Sequence, residues 1–232
     1  MSDDAPFRLP PVDPAAAEVV SAASLSPELL AGLLADGDDE LAAWTLRHAL
    51  AEGSRVDVYD GLLRDAMTLV GERWSEGRWS IAEEHLASRT LLRTLDLVAP
   101  ELGPERRIGP VALLAGVAGE HHMIGLVCLE HVLAEAGWTV ANLGADLPAA
   151  DLGTFVRRND VALVALTASD AARLASLAES VAAVHETVSE RRIPVVIGGR
   201  LATHPGLAVA VDADGAASSL RSALDFAEAH RP

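Results

Sequence analysis

The alternation of apolar runs with helical stretches beyond residue 110 constrains this chain more than any other feature. Candidate strands lie at 111–117, 138–142, 161–167 and 194–198, with a weaker one at 208–211. Helices of roughly 123–136, 148–157, 170–188 and 216–229 fall between and after them. Such alternation predicts a parallel sheet with helices on both faces. About five strands, with a candidate ligand motif after the first, predict a flavodoxin-like, Rossmann-like order. No internal repeat is visible.

The first half follows a different period. Leu41, Trp44, Thr45 and His48 recur at helical spacing, as do Val58, Leu62, Leu63, Met67, Val70 and Trp74. Gly77 ends that stripe. Ser80 with Glu83 forms a capping box for a further helix carrying Leu86, Leu91, Leu92, Leu95 and Val98. The pattern predicts a bundle of about four helices over residues 14–99. Residues 1–13 carry prolines and acids without periodicity and read as a disordered tail. Residues 100–110 hold three prolines and two glycines and read as a linker. The α/β domain then occupies 111–232.

Composition removes several function classes. No apolar run reaches the ~18 residues of a membrane span, and Met1-Ser2-Asp3-Asp4 is unlike a signal peptide. A cytoplasmic protein without membrane attachment is expected. The net charge of −16 argues against direct nucleic-acid binding, which relies on cations at phosphates. The chain contains no lysine, so Schiff-base chemistry, pyridoxal-phosphate attachment and a Gly-Lys-Ser/Thr phosphate loop are excluded. Its single cysteine, Cys128, rules out an internal disulfide and reads as a small core residue in an apolar helix.

One stretch carries metal-ligand chemistry. Glu120-His121-His122-Met123-Ile124-Gly125 follows the first strand and opens an apolar helix. A ligating imidazole usually donates its other N–H to a carboxylate, which fixes the tautomer and raises basicity. Glu120 is spaced for that role. The carboxyl ends of parallel strands are where doubly wound folds bind ligands.

Glu120, His122 and Gly125 resemble the Asp/Glu-x-His-x-x-Gly signature of cobalamin-binding domains. The resemblance implies that His122 is the lower ligand of cobalt, with Glu120 behind it. It also implies that Gly125 lies where backbone comes close to the corrin. His121 is the competing ligand, and the spacing to Gly125 favours His122.

A second motif lies in the helical half. Trp74, nine residues, then Glu84-His85 resembles the helical cap of the cobalamin-dependent photoreceptor family. The resemblance implies that Trp74 packs over the cofactor's upper ligand while Glu84 and His85 hydrogen-bond ribose or the corrin edge. Leu143-Gly144-Ala145-Asp146-Leu147-Pro148 also resembles the family's loop after the second strand. Gly198-Gly199 resembles the pair after the fourth strand, where the nucleotide tail passes close to backbone. Thr167-Ala168-Ser169 retains the hydroxyl of the family's Ser-x-Leu in Thr167 but not its leucine.

Two departures bear on function. Many members carry an N-terminal helix-turn-helix domain, whereas residues 1–53 hold ten acids and two arginines, the wrong charge for DNA. Some members have a histidine directly after the cap tryptophan, where this chain has Ser75.

The leading expectation is therefore a light or ligand sensor binding cobalamin, with adenosylcobalamin favoured over the methyl and hydroxo forms. It is expected to signal through a regulatory protein partner or by homo-oligomerisation, with no catalytic residue of its own. The alternatives are a corrinoid methyl carrier of a methyltransferase system and a plain α/β protein without cofactor.

Overall fold

The computed structural model describes residues 25–100, 109–187 and 192–232. The tail expected over 1–13, the start of the helical pattern and most of the expected linker lie outside them. The described residues fall into two compact units. One comprises residues up to 54 together with 61–98; the other comprises 55–60 and 99 onward.

The helical unit contains α1 (Pro27–Asp36), α2 (Asp39–Glu52), α4 (Arg64–Ser75) and α5 (Ile81–Leu97). Each start has a local cause. Ser26 caps α1 and Asp38 caps α2, their side chains accepting from the backbone amides of Leu29 and Leu41. Ser80 and Glu83 form the expected reciprocal box at the start of α5. Gly77, at φ +72°, makes the turn between α4 and α5. Helix α1 packs against α2, α4 and α5. Leu30, Leu34, Leu46, Leu91 and Leu95 are fully buried between them. Each such leucine contributes about 1.5–3 kcal/mol relative to exposure.

The second unit is a five-stranded parallel sheet of order β2-β1-β3-β4-β5. The strands are β1 (Val111–Gly116), β2 (Thr139–Asn142), β3 (Val161–Thr167), β4 (Val195–Gly198) and β5 (Gly215–Ala216). This is the doubly wound order that the sequence predicts. Alternate residues of the strands point to opposite faces. Leu113, Ala115, Val164, Leu166, Val195 and Ile197 pack on one side against α7 (Ala149–Arg158) and α8 (Leu174–His185). Ala112, Leu114, Leu163, Ala165 and Val196 pack on the other against α6 (Ile124–Glu135) and α10 (Leu220–Ala229).

One strand departs from expectation. Residues 208–211 fall largely in a short helix, α9 (Leu207–Ala210), and Gly215–Ala216 form the fifth strand beside β4. A run of four small apolar residues satisfies either period, and Gly206 in the left-handed region starts the helical turn there. The helix expected over 216–229 begins at Leu220, where Ser219 caps it after the fifth strand.

Residues 55–60 belong to the sheet-containing unit although they precede most of the helical one. They comprise α3 (Arg55–Val58) and the start of a π-helical turn, Tyr59–Leu63, which runs on into α4. Tyr59 is buried, and its hydroxyl lies 3.0 Å from Nδ1 of His131 in α6. The Asp60 carboxylate accepts from the amides of Leu220 and Arg221 at 3.0 and 2.9 Å. It thereby sits at the positive end of α10. Arg221 in turn pairs with Asp57 at 3.0 Å.

Candidate functional site

Four loops converge at the carboxyl ends of the strands, and the first carries the histidine motif. Gly116, the last residue of β1, bonds from its amide to the Gly144 carbonyl, and Leu147 donates back to the Gly116 carbonyl at 2.9 Å. Asp146 donates from its amide to the Glu120 carbonyl at 2.9 Å, while its carboxylate accepts from the Gly119 amide at 2.6 Å. The loop Leu143–Pro148 is therefore laced to the motif and fixes its backbone. Asp146 adopts φ +56° to do so, and Gly144 adopts φ +77°.

Within that frame Glu120 is almost wholly buried, with 2% side-chain exposure, whereas the His122 side chain is 75% exposed. Glu120 Oε1 accepts from the His122 amide at 2.8 Å and lies 2.5 Å from His122 Nδ1. Burial works to raise the pKa of this carboxyl. The hydrogen bonds from the amide and ring of His122, with the nearby Ser169 hydroxyl, outweigh burial and hold it below the usual carboxylate range. Ser169 acts without a hydrogen bond of ordinary geometry to the second, buried oxygen, Oε2. With Nδ1 engaged, Nε2 is the nitrogen left to bind a metal. The carboxylate partner belongs to His122 and not to His121.

The surrounding glycines differ in purpose. Gly125, in the first turn of α6, is exposed, and a Cβ there would meet no protein atom within 4 Å. The first turn of α6 is therefore open, three residues from the exposed imidazole. Gly198 is also roomy, its nearest neighbour to such a Cβ being the Leu166 carbonyl oxygen at 3.9 Å. Gly199 is different. At φ +82°, a Cβ would lie 2.5 Å from the Ala168 carbonyl oxygen and 2.7 Å from Thr167 Oγ1. The protein's own packing thus accounts for Gly199 without any ligand. Thr167 stands half-buried at the end of β3, in register with Gly198 of β4.

Beyond these loops, Ala171, Leu174, Leu201, His204, Pro205 and Leu207 line an open apolar cavity of about 310 Å³. No sequence motif marks it. Its wall combines the short 3₁₀ turns after β3 and β4 with the first residues of α8 and α9, elements too short or too terminal to carry a periodic signal. Arg173, in the turn after β3, carries no motif in the sequence; its guanidinium lies across Gly119.

The other residues expected to contact the cofactor are on the helical unit. Trp74 is at the end of α4 and is 48% exposed. Ile81, 59% exposed, opens α5. Glu84 and His85 lie in the first turn and a half of α5. Glu84 Oε2 is 2.5 Å from His85 Nδ1, and Ser88 donates to its other oxygen at 2.8 Å. Trp74 is therefore not a core residue of its unit, and its indole face is available to a partner. Arg73 instead stacks its guanidinium on Trp79, 4.8 Å from the ring centre. Cys128 is buried, as expected, and burial pushes its thiol up to about 12. Among the described residues, no helix is long and apolar enough to cross a membrane.

Comparison with known proteins bears on both units. The chain is 38% identical over 148 residues to the HTH-type transcriptional repressor CarA of Myxococcus xanthus, covering 62% of this chain and 48% of that protein. It is 28% identical over 130 residues to the trimethylamine corrinoid protein of Methanosarcina barkeri, covering 54% and 58% of the two chains. The chain spans about half the length of the curated relatives it matches. Among solved structures, the Methanosarcina barkeri monomethylamine corrinoid protein shares the fold. Its TM-score is 0.70 at 17% identity, over 85% of this chain and 94% of that one. Family models described as B12 binding domains match residues 28–98 and, separately, residues 110–222. With the helical and the α/β parts each matched in this way, the chain belongs to the B12-binding domain proteins.

Proposed function

We propose that this protein holds cobalamin through His122 as the lower cobalt ligand and works as a sensor of light or of the cofactor's upper ligand. The observation that carries the reading is the pairing of an exposed imidazole with a buried carboxylate, Nδ1 to Oε1 at 2.5 Å. That carboxylate polarises the ring and keeps Nε2 available, the arrangement typical of metal-ligating histidines. The clearance around Gly125 supports placing the corrin there. Thr167, Gly198 and Gly199 are assigned to the nucleotide side of the ligand. Trp74, Glu84 and His85 are assigned to recognition of the upper ligand, which favours adenosylcobalamin over the methyl and hydroxo forms. When bound, cobalamin supplies a coloured, light-cleavable cobalt–carbon bond. The chain's own residues hold, orient and select it.

Output passes through a regulatory partner or through self-association. The adenosyl group biases that equilibrium only by its differential affinity for the two states. Support for a sensor comes from the likeness to a transcriptional repressor and from the exposed Trp74. A second reading, a methyl carrier serving methyltransferases, draws on the likeness to the trimethylamine corrinoid protein.

One experiment separates them. The protein is reconstituted in the dark with adenosyl- or methylcobalamin, and absorption and size-exclusion profiles are recorded before and after green light. The sensor reading expects red protein, a shifted spectrum on illumination and a changed elution volume with the adenosyl form. Unchanged elution together with methyl transfer to a supplied methyltransferase would establish the carrier. His122→Ala should lose binding or leave the nucleotide base on cobalt.

A further inference from the structure

Arg173 reaches from the turn after β3 to the loop after β1. Its guanidinium lies against Gly119, three residues before His122: a Cβ on Gly119 would come within 2.8 Å of Cζ and within 3.2 Å of Nε, and closer still to Nη1. Gly119 has φ +81°, so the contact is made to bare backbone. The Arg173 side chain is 33% exposed, and among the described residues its one polar partner is Asp170, with Nε and Oδ2 4.0 Å apart. That carboxylate already accepts from the Ala172 amide at 2.8 Å. Arg200, the next cation on these loops, differs in that its Nε donates to the Ser169 carbonyl at 3.2 Å.

The fork of Arg173 is thus held half-buried beside the proposed ligand site, with N–H donors that no described acceptor takes up. Planar guanidinium donors match phosphate oxygens in a way that a compact ammonium does not. The surroundings make such a cation useful. The protein carries a net charge of −16, and Asp146 and Asp170 flank these loops. An anionic ligand group entering that field is opposed unless a local positive charge offsets it. Cobalamin has one ionised group at neutral pH, the phosphodiester of its nucleotide tail.

We infer that Arg173 binds the phosphodiester of the cobalamin nucleotide tail and so discriminates complete cobalamins from corrinoids lacking the tail. The inference rests on the cofactor reading above. No covalent step is involved. Arg173 is a binding residue that leaves cobalt ligation to His122.

The test compares hydroxocobalamin with cobinamide, which has the corrin and cobalt but no phosphate, ribose or base. Both are titrated into the full chain and into Arg173→Ala and Arg173→Gln. A charge-assisted hydrogen bond of ordinary strength predicts that either substitution weakens cobalamin roughly 10- to 100-fold. Cobinamide binding should change less than about twofold. Raising salt from about 0.05 to 0.5 M should weaken cobalamin for the wild-type chain more than for Arg173→Gln, since the pair is partly exposed. Equal losses for both ligands, or no loss for cobalamin, overturn the assignment while leaving His122 untouched. Arg173→Gln keeps most of the stem against Gly119, and far-UV circular dichroism identifies a variant that has lost its fold. If the wild-type chain binds neither corrinoid, the cofactor reading fails, and this assignment with it.

Discussion

The hydroxyl of Tyr59 stands between a cationic donor and an imidazole inside the α/β unit, 2.8 Å from the Arg55 guanidinium that donates to it and 3.0 Å from Nδ1 of His131. With its oxygen accepting from Arg55, the phenol sends its proton to Nδ1. His131 must then be neutral, with its own proton on Nε2. Burial, followed by the Arg55 charge, pushes the imidazole down to about 4.

Acid should therefore weaken the fold through His131. An unfolded histidine titrates near ~6.5. Between that value and about 4 the unfolded chain takes up a proton that the folded chain refuses. Stability from this source is complete above pH ~6.5 and is lost as pH falls towards the folded value. The loss approaches about 3 kcal/mol. Urea unfolding at a series of pH values from 7 to 4.5 measures it. His131→Gln should flatten the curve in that window; if the slope persists, another group is responsible.

Neutralising Glu120 should weaken the cofactor site without destroying it. Glu120→Gln retains an oxygen for the His122 amide but loses the charge that polarises the ring. Affinity for cobalamin should drop ~10–100-fold, the usual effect of a residue that orients a metal ligand. His122→Ala should do worse. Spectral titration of both variants checks the order, and Glu120→Gln binding as tightly as wild type would contradict it.

Two glycine substitutions should act in opposite directions. Gly125→Ala sits in a helix with nothing within 4 Å of the new methyl. It should stabilise the ligand-free protein by about 0.5 kcal/mol through helix propensity, while reducing cobalamin affinity. Gly199→Ala forces a methyl onto the Ala168 carbonyl at positive φ and should cost about 2–4 kcal/mol before any ligand is added. Melting curves with and without hydroxocobalamin separate the two.

Trp74→Ala should leave the helical unit folded. The indole is 48% exposed, whereas Leu91 and Leu95 are fully buried. The expected cost is below about 1 kcal/mol, against about 2–5 for Leu91→Ala. Its effect should fall on ligand choice, as a reduced preference for adenosyl- over methylcobalamin in competition titrations. Cooperative unfolding of the variant at room temperature would remove Trp74 from the site.

Most of the architecture was legible because long elements repeat their signal. β1 and β3 are continuous apolar runs, α5 announces itself with Ser80 and Glu83, and the strand order follows from alternating elements. Short elements were not legible. Residues 208–211 and the two-residue β5 are too brief for period to decide between helix and strand. The Glu120–His122 pair could be read from spacing, since both partners lie within three residues. Arg173 could not, because its neighbour Gly119 is 54 positions away on another loop. The close approach of the Ala168 carbonyl to Gly199 was likewise hidden, because it comes from the adjoining strand end.

The anchoring of residues 55–60 has a consequence for anyone dissecting the molecule. A fragment cut within 99–110 would retain all five strands and every candidate residue of the α/β loops. It would nevertheless leave the amides of Leu220 and Arg221 without the Asp60 carboxylate, and Nδ1 of His131 without Tyr59. The compact sheet-containing unit is discontinuous in sequence: excising it with its anchors intact calls for a spliced hexapeptide, not a single cut.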